Sequence, residues 1–521
     1  MHKLDFILIL DFGSQFTQLI ARRLREMNVY CEIHPYNLDV EKYFQSKDNY
    51  TLKGVILSGG PSSVLDKSSP KISVKDYNYI ANQNIPILGV CYGLQLLVHL
   101  NKGKVHKSTH REYGYTKIHT LKPGKLFKGV SNEFIAWMSH GDSIINMPAG
   151  FDIKSRSSNK VVSSFEYPQK NLYGVQFHPE VHHTQNGTQI YKNFVFNICK
   201  VKHLFKPQSF IDDKIEEIKK LTGNGKVLCA LSGGVDSSVA ALLVHKAIGK
   251  NLICMHIDNG LMRKNESKKI IELFKKNFKL NLIFVNAEDI FLKRLKGITD
   301  PEQKRKIIGN TFIEVFEKET KKIKGIKYLV QGTLYPDVIE SVSFKGPSST
   351  IKTHHNVGGL PEKMKFKLIE PFRELFKDEV RVIGKKLGLP DFVLKRHPFP
   401  GPGLAIRILS DVSKDKLDIL REVDDIYINE IKEHKLYNEI WQAFSVLLPV
   451  QSVGVMGDER SYENVVGLRA VTSKDGMTAD FYQFEKDFLT SVSSKIINRV
   501  KGVNRVVYDI STKPPATIEW E

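Results

Sequence analysis

Residues 231–238, Leu-Ser-Gly-Gly-Val-Asp-Ser-Ser, constrain the fold of this chain more than any other stretch. An apolar run at 226–231 predicts a buried strand, and a second run at 239–248 predicts a helix that ends at Gly249. Glycines between a strand and a helix let backbone N–H groups approach an anion, and the amino terminus of the helix adds a partial positive charge. The stretch therefore predicts a strand, an anion-binding loop and a helix in direct succession.

An acidic residue inside this loop indicates a metal ion. Asp236 would repel a bare phosphate, but its carboxylate suits a site in which Mg²⁺ lies between it and the phosphate groups. The hydroxyl groups of Ser232, Ser237 and Ser238 supply further hydrogen-bond donors. The alternative is a capped helix after a glycine turn with no ligand, and we favour the phosphate site because the whole string fits it.

The loop resembles the pyrophosphate loop of the N-type ATP pyrophosphatases, and it differs from a Walker loop because no Gly-Lys-Ser/Thr follows. The resemblance implies that ATP adenylylates a carbonyl oxygen of an acceptor and that a nucleophile, often ammonia, then displaces AMP. It implies ATP-binding roles for the following residues: Ser232, Gly233, Gly234, Val235, Asp236, Ser237 and Ser238.

Three further apolar runs follow, at 251–257, 282–285 and 328–331, and helical patterns separate them. This alternation predicts a doubly wound parallel sheet, in which ligands bind at the carboxyl ends of the strands. The first of these runs ends in His-Ile-Asp-Asn-Gly, so we expect Asp258 and Gly260 to contact the adenosine part of ATP.

The first third of the chain shows the same alternation and predicts a second α/β domain with a parallel sheet, with strands near 6–10, 29–33, 54–57 and 85–90. Cys91 follows the last of these strands in the sequence Gly-Val-Cys-Tyr-Gly and precedes a helix, which is the arrangement of a nucleophile elbow. The alternative is a buried cysteine that packs as a small apolar side chain.

A base for this thiol is found after another strand-like run, 173–177, which ends in the sequence His-Pro-Glu. A histidine that deprotonates a cysteine and a carboxylate that orients the imidazole complete a triad. The two strings together resemble the class I glutamine amidotransferases. That resemblance implies the nucleophile Cys91, the base His178 and the orienting carboxylate Glu180. It also implies an oxyanion hole and a glutamine site from these residues: Gly59, Tyr92 through its N–H, Gln95 and Asp142.

The last fifth of the chain carries three strings rich in proline, glycine or charge, at 396–403, 451–459 and 513–521. Around them the patterns predict a helix at 414–433, strands at 441–448, 465–471 and 505–510, and a second helix between the last two strands. With these strings the whole chain resembles the family of glutamine-hydrolysing GMP synthetases.

The family resemblance implies amination of XMP to GMP with ATP, Mg²⁺ and ammonia from glutamine, through adenyl-XMP and with release of AMP and pyrophosphate. It implies a homodimer formed through the C-terminal domain. It also implies an XMP site made by the following residues: Arg305, Gln451, Lys513, Ile518 and Glu519.

These patterns divide the chain into three domains of an α/β fold, with a linker near 202–209. We expect a glutamine amidotransferase domain at 1–203, a doubly wound ATP pyrophosphatase domain at 208–396 and a smaller α+β dimerisation and XMP-binding domain at 397–521. A polar segment at 341–367 is expected to be an active-site lid or a poorly ordered loop. Because the last string follows the final predicted strand, we expect truncation after Thr512 to remove little core.

The amino-acid composition restricts the cellular compartment that we expect for this protein and the kinds of partner that it could bind. Five cysteines without Cys-x-x-Cys spacing argue against a disulfide framework or a zinc site and favour a reducing cytoplasm. The sequence has no apolar run long enough for a membrane span, and we expect no signal peptide. The formal net charge of +20 raises the alternative of a nucleic-acid-binding module, but the lysines are dispersed, so we favour a lysine-rich surface with phosphate sites.

Two other enzyme classes share an ATP loop of this kind. A NAD synthetase would lack the strings at 396–403 and 513–521, and a tRNA-thiolating pyrophosphatase would need a reactive cysteine in its pyrophosphatase domain. Cys229 and Cys254 both fall in apolar strands and suit a core position better than a reactive one. We therefore predict a carbon–nitrogen ligase with glutamine as its amide-nitrogen donor.

Overall fold

The computed structural model describes residues 3–122, 124–342, 366–456, 459–473, 476 and 478–521. The described residues fall into two units, the first ending at Phe210 and the second beginning at Ile211. The predicted lid or loop at 341–367 lies outside the described residues except at its two ends. No helix in the described ranges is both long and apolar enough to span a bilayer.

The first unit contains strands and helices in the predicted alternation. Its strands are β1 (Leu4–Asp11), β2 (Tyr30–Pro35), β3 (Tyr50–Leu57), β4 (Ile87–Val90), β5 (Lys104–Thr120), β6 (Glu133–Asn146), β7 (Asp152–Ser157), β8 (Val162–Tyr167) and β9 (Leu172–Val175). Its helices are α1 (Thr17–Glu26), α2 (Val40–Gln45), α3 (Val74–Asn82), α4 (Tyr92–Leu100) and α5 (Gly187–Lys192). Helix α6 (Pro207–Thr222) continues into the second unit.

Among the described residues, these strands form one sheet in the order β2-β1-β3-β4-β9-β8-β7-β5-β6. The pairs from β2 to β9 are parallel, and the pairs from β9 to β6 are antiparallel. Residues 6–10 of β1 are apolar and buried, as expected for a central strand that is covered on both faces. The sheet therefore places the carboxyl ends of β4 and β9 side by side.

The second unit contains a parallel sheet followed by an antiparallel one. Its strands are β10 (Lys226–Ala230), β11 (Leu252–Asp258), β12 (Asn281–Asn286), β13 (Ile326–Val330), β14 (Lys367–Ile369), β15 (Gln442–Met456), β16 (Glu459–Thr472), β17 (Asp480–Phe481) and β18 (Val503–Tyr508). Its further helices are α7 (Val235–Ile248), α8 (Glu266–Glu272), α9 (Glu288–Leu295), α10 (Pro301–Thr320), α11 (Tyr335–Val342), α12 (Lys377–Lys386), α13 (Asp391–Leu394), α14 (Lys414–Glu433) and α15 (Lys486–Arg499).

The parallel sheet has the strand order β12-β11-β10-β13-β14 in the described part of the chain. Helix α7 follows β10 after a short loop and ends at Gly249, whose φ of +54° suits glycine. In the antiparallel sheet, β16 pairs with β15 on one side and with β17 and β18 on the other. The predicted α/β class, with a doubly wound middle sheet and an α+β C-terminal part, is confirmed.

One hydrophobic core runs through the second unit and crosses the predicted boundary at 396/397. Leu228 of β10 and Phe291 of α9 belong to the same buried cluster as Val423 of α14 and Phe488 of α15. The two C-terminal domains predicted from the sequence thus share apolar side chains, and the boundary between them stays a prediction.

The C-terminal string is held by buried cations of the second unit. Arg407 and Lys304 are fully buried, and they form ion pairs with Glu519 (2.9 Å) and Glu521 (3.3 Å). Arg469, which is also buried, donates two hydrogen bonds to backbone carbonyl groups of the same string. The expectation that truncation before this string removes little core is wrong, because truncation would leave two buried cations without their carboxylates.

Three elements are longer than the sequence predicted. Helix α6 begins at Pro207, inside the predicted linker, because proline is accommodated in the first turn of a helix. Strands β15 and β16 extend beyond the predicted 441–448 and 465–471 and form a long hairpin. The added residues alternate in exposure rather than forming an apolar run, so the apolar signal ended before the strand did.

Candidate active sites

The predicted nucleophile elbow is present in the first unit. Cys91 lies between β4 and α4 with φ +52° and ψ −105°, a strained conformation for a residue that has a Cβ. Its N–H donates to the carbonyl oxygen of Val175 at the end of β9 (2.8 Å). Gly93 permits the sharp turn, because a Cβ there would lie 2.3 Å from the carbonyl oxygen of Leu57. The turn presents the thiol at the amino terminus of a helix.

The predicted base and its orienting carboxylate lie beside this thiol. Nδ1 of His178 is 2.7 Å from Oε1 of Glu180, and both side chains are buried. The hydroxyl of Tyr191 donates to the other carboxylate oxygen of Glu180 (3.1 Å), and the hydroxyl of Thr184 donates to the carbonyl oxygen of His178 (2.7 Å). Because Glu180 accepts from Nδ1, Nε2 of His178 is left to interact with Cys91.

The charges around His178 favour its imidazolium form. Burial opposes a charge on the ring, but the negative charges of Glu180 and Cys91 outweigh burial and raise the pKa of His178 from 6.5 to about 10. The three side chains together can attack a carbonyl carbon and protonate a leaving group.

The two predicted oxyanion-hole residues flank the thiol. A Cβ on Gly59 would lie 3.0 Å from Cε1 of His178, so only glycine leaves this side of the site open. Tyr92 is the first residue of α4, and the first N–H groups of a helix have no acceptor within the helix. Both residues therefore have backbone groups where an oxyanion could form near Cys91.

The two predicted glutamine-binding residues contact each other. Gln95 donates to the carbonyl oxygen of Asp142 (3.1 Å), and the carboxylate of Asp142 accepts from the hydroxyl of Ser63. On the same strand, β6, the carbonyl oxygen of Ser139 accepts from the thiol of Cys91 (3.6 Å). The segment 139–142 thus links the nucleophile to the residues that are predicted to hold the substrate.

Gln176 is a site residue that the sequence analysis missed. Its Nε2 lies 3.7 Å from Sγ of Cys91, and its Oε1 accepts from Gln95 (3.2 Å). Its position two residues before His178, where β9 ends, was the available signal. Ser63 lies only four residues after Gly59, but a single serine there gives no signal for a contact with Asp142.

The anion-binding loop of the second unit has the predicted geometry. Gly233 has φ +79°, and a Cβ there would lie 2.2 Å from Cδ1 of Ile270. The hydroxyls of Ser232 and Ser237 are 2.9 Å apart, and Ser237 also donates to the carbonyl oxygen of Gly234 (3.2 Å). Gly234 precedes the first residue of α7, so the loop lies at the amino terminus of a fourteen-residue helix.

Two buried oxygen atoms of this loop have no hydrogen-bond partner among the described residues. They are Oδ1 of Asp236 and Oγ of Ser238. The other carboxylate oxygen of Asp236 is 3.3 Å from the ammonium group of Lys377, and Val235 is buried beside them. The described residues contain no cluster of three or more His, Cys, Asp or Glu suited to a metal ion. A single carboxylate is nonetheless enough for Mg²⁺ when phosphates complete its ligand set.

The loop after β11 carries the two residues predicted to contact adenosine. The N–H of Gly260 donates to Oδ1 of Asp258 (3.0 Å), and Gly260 has φ +70°. Arg421 of α14 holds this loop by donating to the carbonyl oxygens of Gly260 and Met262, the latter at 3.2 Å. The sequence analysis missed Arg421, because nothing in its own helix indicates a contact about 160 residues away.

The predicted XMP residues are not all brought together within one chain. Lys513 donates to the carbonyl oxygen of Gly476 (2.8 Å), and Ile518 is buried against Val471. Arg305 of α10 forms an ion pair with Glu302 one turn earlier. These contacts leave Lys513 and Arg305 part of their donor capacity for a ligand.

Gln451 is remote from Glu519, another predicted XMP residue. Both Gln442 (2.6 Å) and Arg407 (2.9 Å) donate to Oε1 of Glu519. Gln442 and Gln451 lie nine residues apart on β15, which corresponds to about 30 Å of extended strand. We therefore expect a nucleotide bound at Glu519 not to reach Gln451 of the same chain.

A thiol nucleophile in one unit and a phosphate-type loop in the other serve different half-reactions. The first releases ammonia from an amide, and the second activates an acceptor with ATP. The chain therefore falls into the class of glutamine amidotransferases that are joined to an ATP pyrophosphatase.

Comparison with known protein families agrees with this class for each part of the chain. Residues 8–198 match the family described as glutamine amidotransferase class-I, residues 225–279 match the tRNA methyl transferase HUP domain, and residues 429–520 match the GMP synthase C terminal domain.

Full-length relatives narrow the class to one family. A glutamine-hydrolyzing GMP synthase from Brachyspira hyodysenteriae is 54% identical over 520 residues, which cover 100% of both chains. Those from Cytophaga hutchinsonii and Carboxydothermus hydrogenoformans are 55% and 53% identical, and each match covers 99% of both chains. The chain belongs to the family of glutamine-hydrolysing GMP synthases.

The family predicted from the sequence is thereby confirmed, and so is its enzyme class. The two alternative enzyme classes are set aside, because the relatives match all three parts of the chain. The preference for a lysine-rich surface over nucleic-acid binding stays a prediction.

The raised pKa of His178 gives the stability of the first unit a defined pH dependence. A cation whose pKa rises on folding stabilises the protein fully below its unfolded value of 6.5 and loses that effect as the pH approaches about 10. Glu180→Gln removes the main partner charge. We expect the difference in melting temperature between wild type and this variant to be largest at pH 6.5 and to shrink towards pH 10.

Differential scanning calorimetry of the full chain measures this difference. Glu41→Gln is the matched control, because Glu41 forms an exposed ion pair with Lys75 in the same unit. A gap between wild type and Glu180→Gln that widens with rising pH would contradict the assigned ion pair.

Proposed function

We propose that the first unit releases ammonia from glutamine at Cys91 and that the second unit uses it, with ATP, to convert XMP to GMP. The amination of XMP with glutamine as nitrogen donor is the activity of the family to which the chain belongs. The assignment of residues to it is carried by one observation, the strained Cys91 in contact with the buried pair of His178 and Glu180.

In the glutaminase half-reaction, the thiolate of Cys91 attacks the side-chain amide carbon of glutamine. The N–H groups of Gly59 and Tyr92 donate to the oxyanion that forms. His178 gives its proton to the departing ammonia, and a thioester remains on Cys91. His178 then takes a proton from water, whose oxygen attacks the thioester and releases glutamate.

The α-ammonium end of glutamine binds to a negatively charged side chain. Asp142 is the counter-charge for the α-ammonium group of glutamine, and the contacts with Ser63 and Gln95 fix its position. The same segment touches Cys91 through Ser139, so binding and nucleophile are positioned by one strand.

In the synthetase half-reaction, the loop at 232–238 holds the phosphate groups of ATP at the amino terminus of α7. Asp258 and Gly260 contact the adenosine part. Mg²⁺ fits beside the loop, because Oδ1 of Asp236 is a buried carboxylate oxygen that has no hydrogen-bond partner in the described residues. When bound, Mg²⁺ neutralises charge on the phosphates, and Asp236 would hold it.

Activation of XMP is required because its 2-oxo group is a poor leaving group. Transfer of AMP to this oxygen releases pyrophosphate and gives adenyl-XMP. Ammonia then attacks C2 of the purine and displaces AMP, which leaves GMP. Ammonia acts as a nucleophile only when it is not protonated, so this step needs a site that excludes bulk water.

We assign XMP to the C-terminal string and to α10. Lys513 and Arg305 supply positive charge for the 5′-phosphate, and Glu519 accepts hydrogen bonds from a base N–H or a ribose hydroxyl. Ile518 provides an apolar contact. The ion pair with Arg407 fixes the carboxylate of Glu519, which supports a role that requires a defined position.

A second copy of the chain supplies the remaining XMP residue. Gln451, Val453 and Val455 lie on one face of β15, and Val453 pairs with Tyr462 of β16. Val453, Val455 and Tyr462 are 48%, 77% and 64% exposed, so this hairpin offers an apolar surface with Gln451 at its side. We assign the homodimer to this face, which brings Gln451 of one chain to the nucleotide of another. A cytoplasmic location, where thiols such as Cys91 stay reduced, completes the proposal.

Cys91→Ala separates the two half-reactions. It should lower glutamine-dependent GMP formation by roughly 10⁴-fold or more, because no other group replaces the nucleophile. GMP formation from ammonium should stay near the wild-type rate, since the ATP loop belongs to the other unit. Cys199→Ala, which removes another buried thiol of the first unit, is the control and should retain both activities. Glutamate release by Cys91→Ala would refute the assignment.

Asp236→Ala tests the Mg²⁺ site. The variant should form no measurable AMP with either nitrogen donor, because the metal and the pyrophosphate lose their anchor. Asp391→Ala, which removes an exposed carboxylate paired with Lys395, is the control and should behave as wild type. Normal AMP formation by Asp236→Ala at ordinary Mg²⁺ concentrations would exclude the metal role.

Val455→Glu tests the dimer face. Light scattering after gel filtration should give twice the chain mass for wild type and a single chain mass for the variant, because a charge is costly inside an apolar interface. Val74→Glu, at a position that is 66% exposed in the first unit, should remain dimeric. A dimeric Val455→Glu variant would place the interface elsewhere.

A further inference from the structure

A buried pair of charged side chains lies behind the glutamine-binding segment of β6. Glu112 of β5 and His140 of β6 are directly opposite each other in the antiparallel pair, and their side chains are 1% and 3% exposed. Nε2 of His140 is 3.0 Å from Oε2 of Glu112. Neither residue belongs to the triad. His140 lies two residues before Asp142, in the segment that the sequence predicted to hold glutamine, and Glu112 was not predicted to be a site residue.

The hydrogen-bond partner of Nδ1 shows that this ring nitrogen of His140 is a donor. Nδ1 lies 3.0 Å from the carbonyl oxygen of Asp142, and a carbonyl can only accept a hydrogen bond, so Nδ1 carries hydrogen. Oε1 of Glu112 accepts from the hydroxyl of Ser157 (2.7 Å) and from the amide of Asn159 (2.8 Å).

These contacts also fix the charge of Glu112. Burial alone would raise the pKa of Glu112, but the hydrogen bonds from His140, Ser157 and Asn159 outweigh burial and lower it. Glu112 is therefore a carboxylate. With an oxygen atom near each ring nitrogen, His140 bridges the carboxylate of Glu112 and the carbonyl oxygen of Asp142.

The pair contacts Asp142, the residue that is proposed to bind the substrate, through a hydrogen bond from His140. The carbonyl oxygen of Asp142 accepts from two sides, from Nδ1 of His140 and from Nε2 of Gln95. The carboxylate of Asp142 then points to Ser63. Loss of the proton on Nδ1 would release one of these two supports, while the contacts of the triad with Tyr191 and Thr184 would remain.

We propose that the hydrogen-bonded pair of Glu112 and His140 holds Asp142 in the position in which it binds the α-ammonium group of glutamine. It sets the affinity of the first unit for glutamine and leaves the intrinsic reactivity of Cys91 unchanged. The inference rests on the proposed roles of Cys91 and Asp142. Both residues of the pair are positioning residues, because neither touches the substrate.

His140→Phe tests the inference by kinetics. The variant keeps a planar ring and removes the Nδ1–H group that donates to the carbonyl oxygen of Asp142. We expect the KM for glutamine to rise about tenfold, as for the loss of one well-oriented charge-assisted contact, with little change in kcat. Alkylation of Cys91 by iodoacetamide and GMP formation from ammonium should proceed as in wild type.

Glu133→Gln is the matched control, since it removes an exposed carboxylate from the same hairpin, and it should leave the KM for glutamine unchanged. An unchanged KM in His140→Phe would overturn the inference. Slower alkylation of Cys91 in His140→Phe would also overturn it, because the pair would then serve the whole site and not substrate binding.

A spectroscopic measurement tests the same contact in the wild-type protein. In ¹⁵N-histidine-labelled protein at neutral pH, Nδ1 of His140 should carry a proton, because it donates to the carbonyl oxygen of Asp142; the signals that disappear in His140→Asn identify this ring. A ring without a proton on Nδ1 would overturn the inference. Failure of the proposed function is distinguishable, because it would appear as glutamine hydrolysis by Cys91→Ala whatever the state of His140.

Discussion

Both half-reactions depend on one electrostatic arrangement, the amino terminus of a helix at the carboxyl end of a parallel strand. In the first unit this place is taken by Cys91 between β4 and α4, and in the second by residues 232–238 between β10 and α7. Glycine makes the approach sterically feasible in each, at Gly93 and at Gly233. The same partial positive charge thus serves a thiolate in one unit and phosphate groups in the other.

Features that rest on local sequence could be predicted. Helix α14 has the bounds 414–433 that its apolar periodicity indicated, and the turn around Cys91 follows from small residues between a strand and a helix. The loop at 232–238 carries its own glycines and its own acidic residue. In each example the residues that determine the structure are neighbours in the chain, so the local sequence pattern is enough to predict it.

Contacts between distant parts of the chain could not be predicted. Gln176 reaches Cys91 only because β4 and β9 are neighbours in the sheet, and Glu112 meets His140 only through the register of β5 and β6. The C-terminal string looked like a peripheral tail, but the buried cations Arg407 and Lys304 require its carboxylates. Burial of a charge is a property of the folded surroundings, and no periodicity in the string reports it.

The hydrogen bonds from Arg421 to the loop after β11 offer a route to inhibitors of ATP binding. The guanidinium of α14 is bound to carbonyl oxygens of Gly260 and Met262, which puts the shape of the adenosine loop under the control of a helix outside the nucleotide pocket. A small molecule that takes these two carbonyl oxygens from Arg421 would weaken ATP binding without resembling a purine. Such an inhibitor would not have to occupy the position of the nucleotide itself.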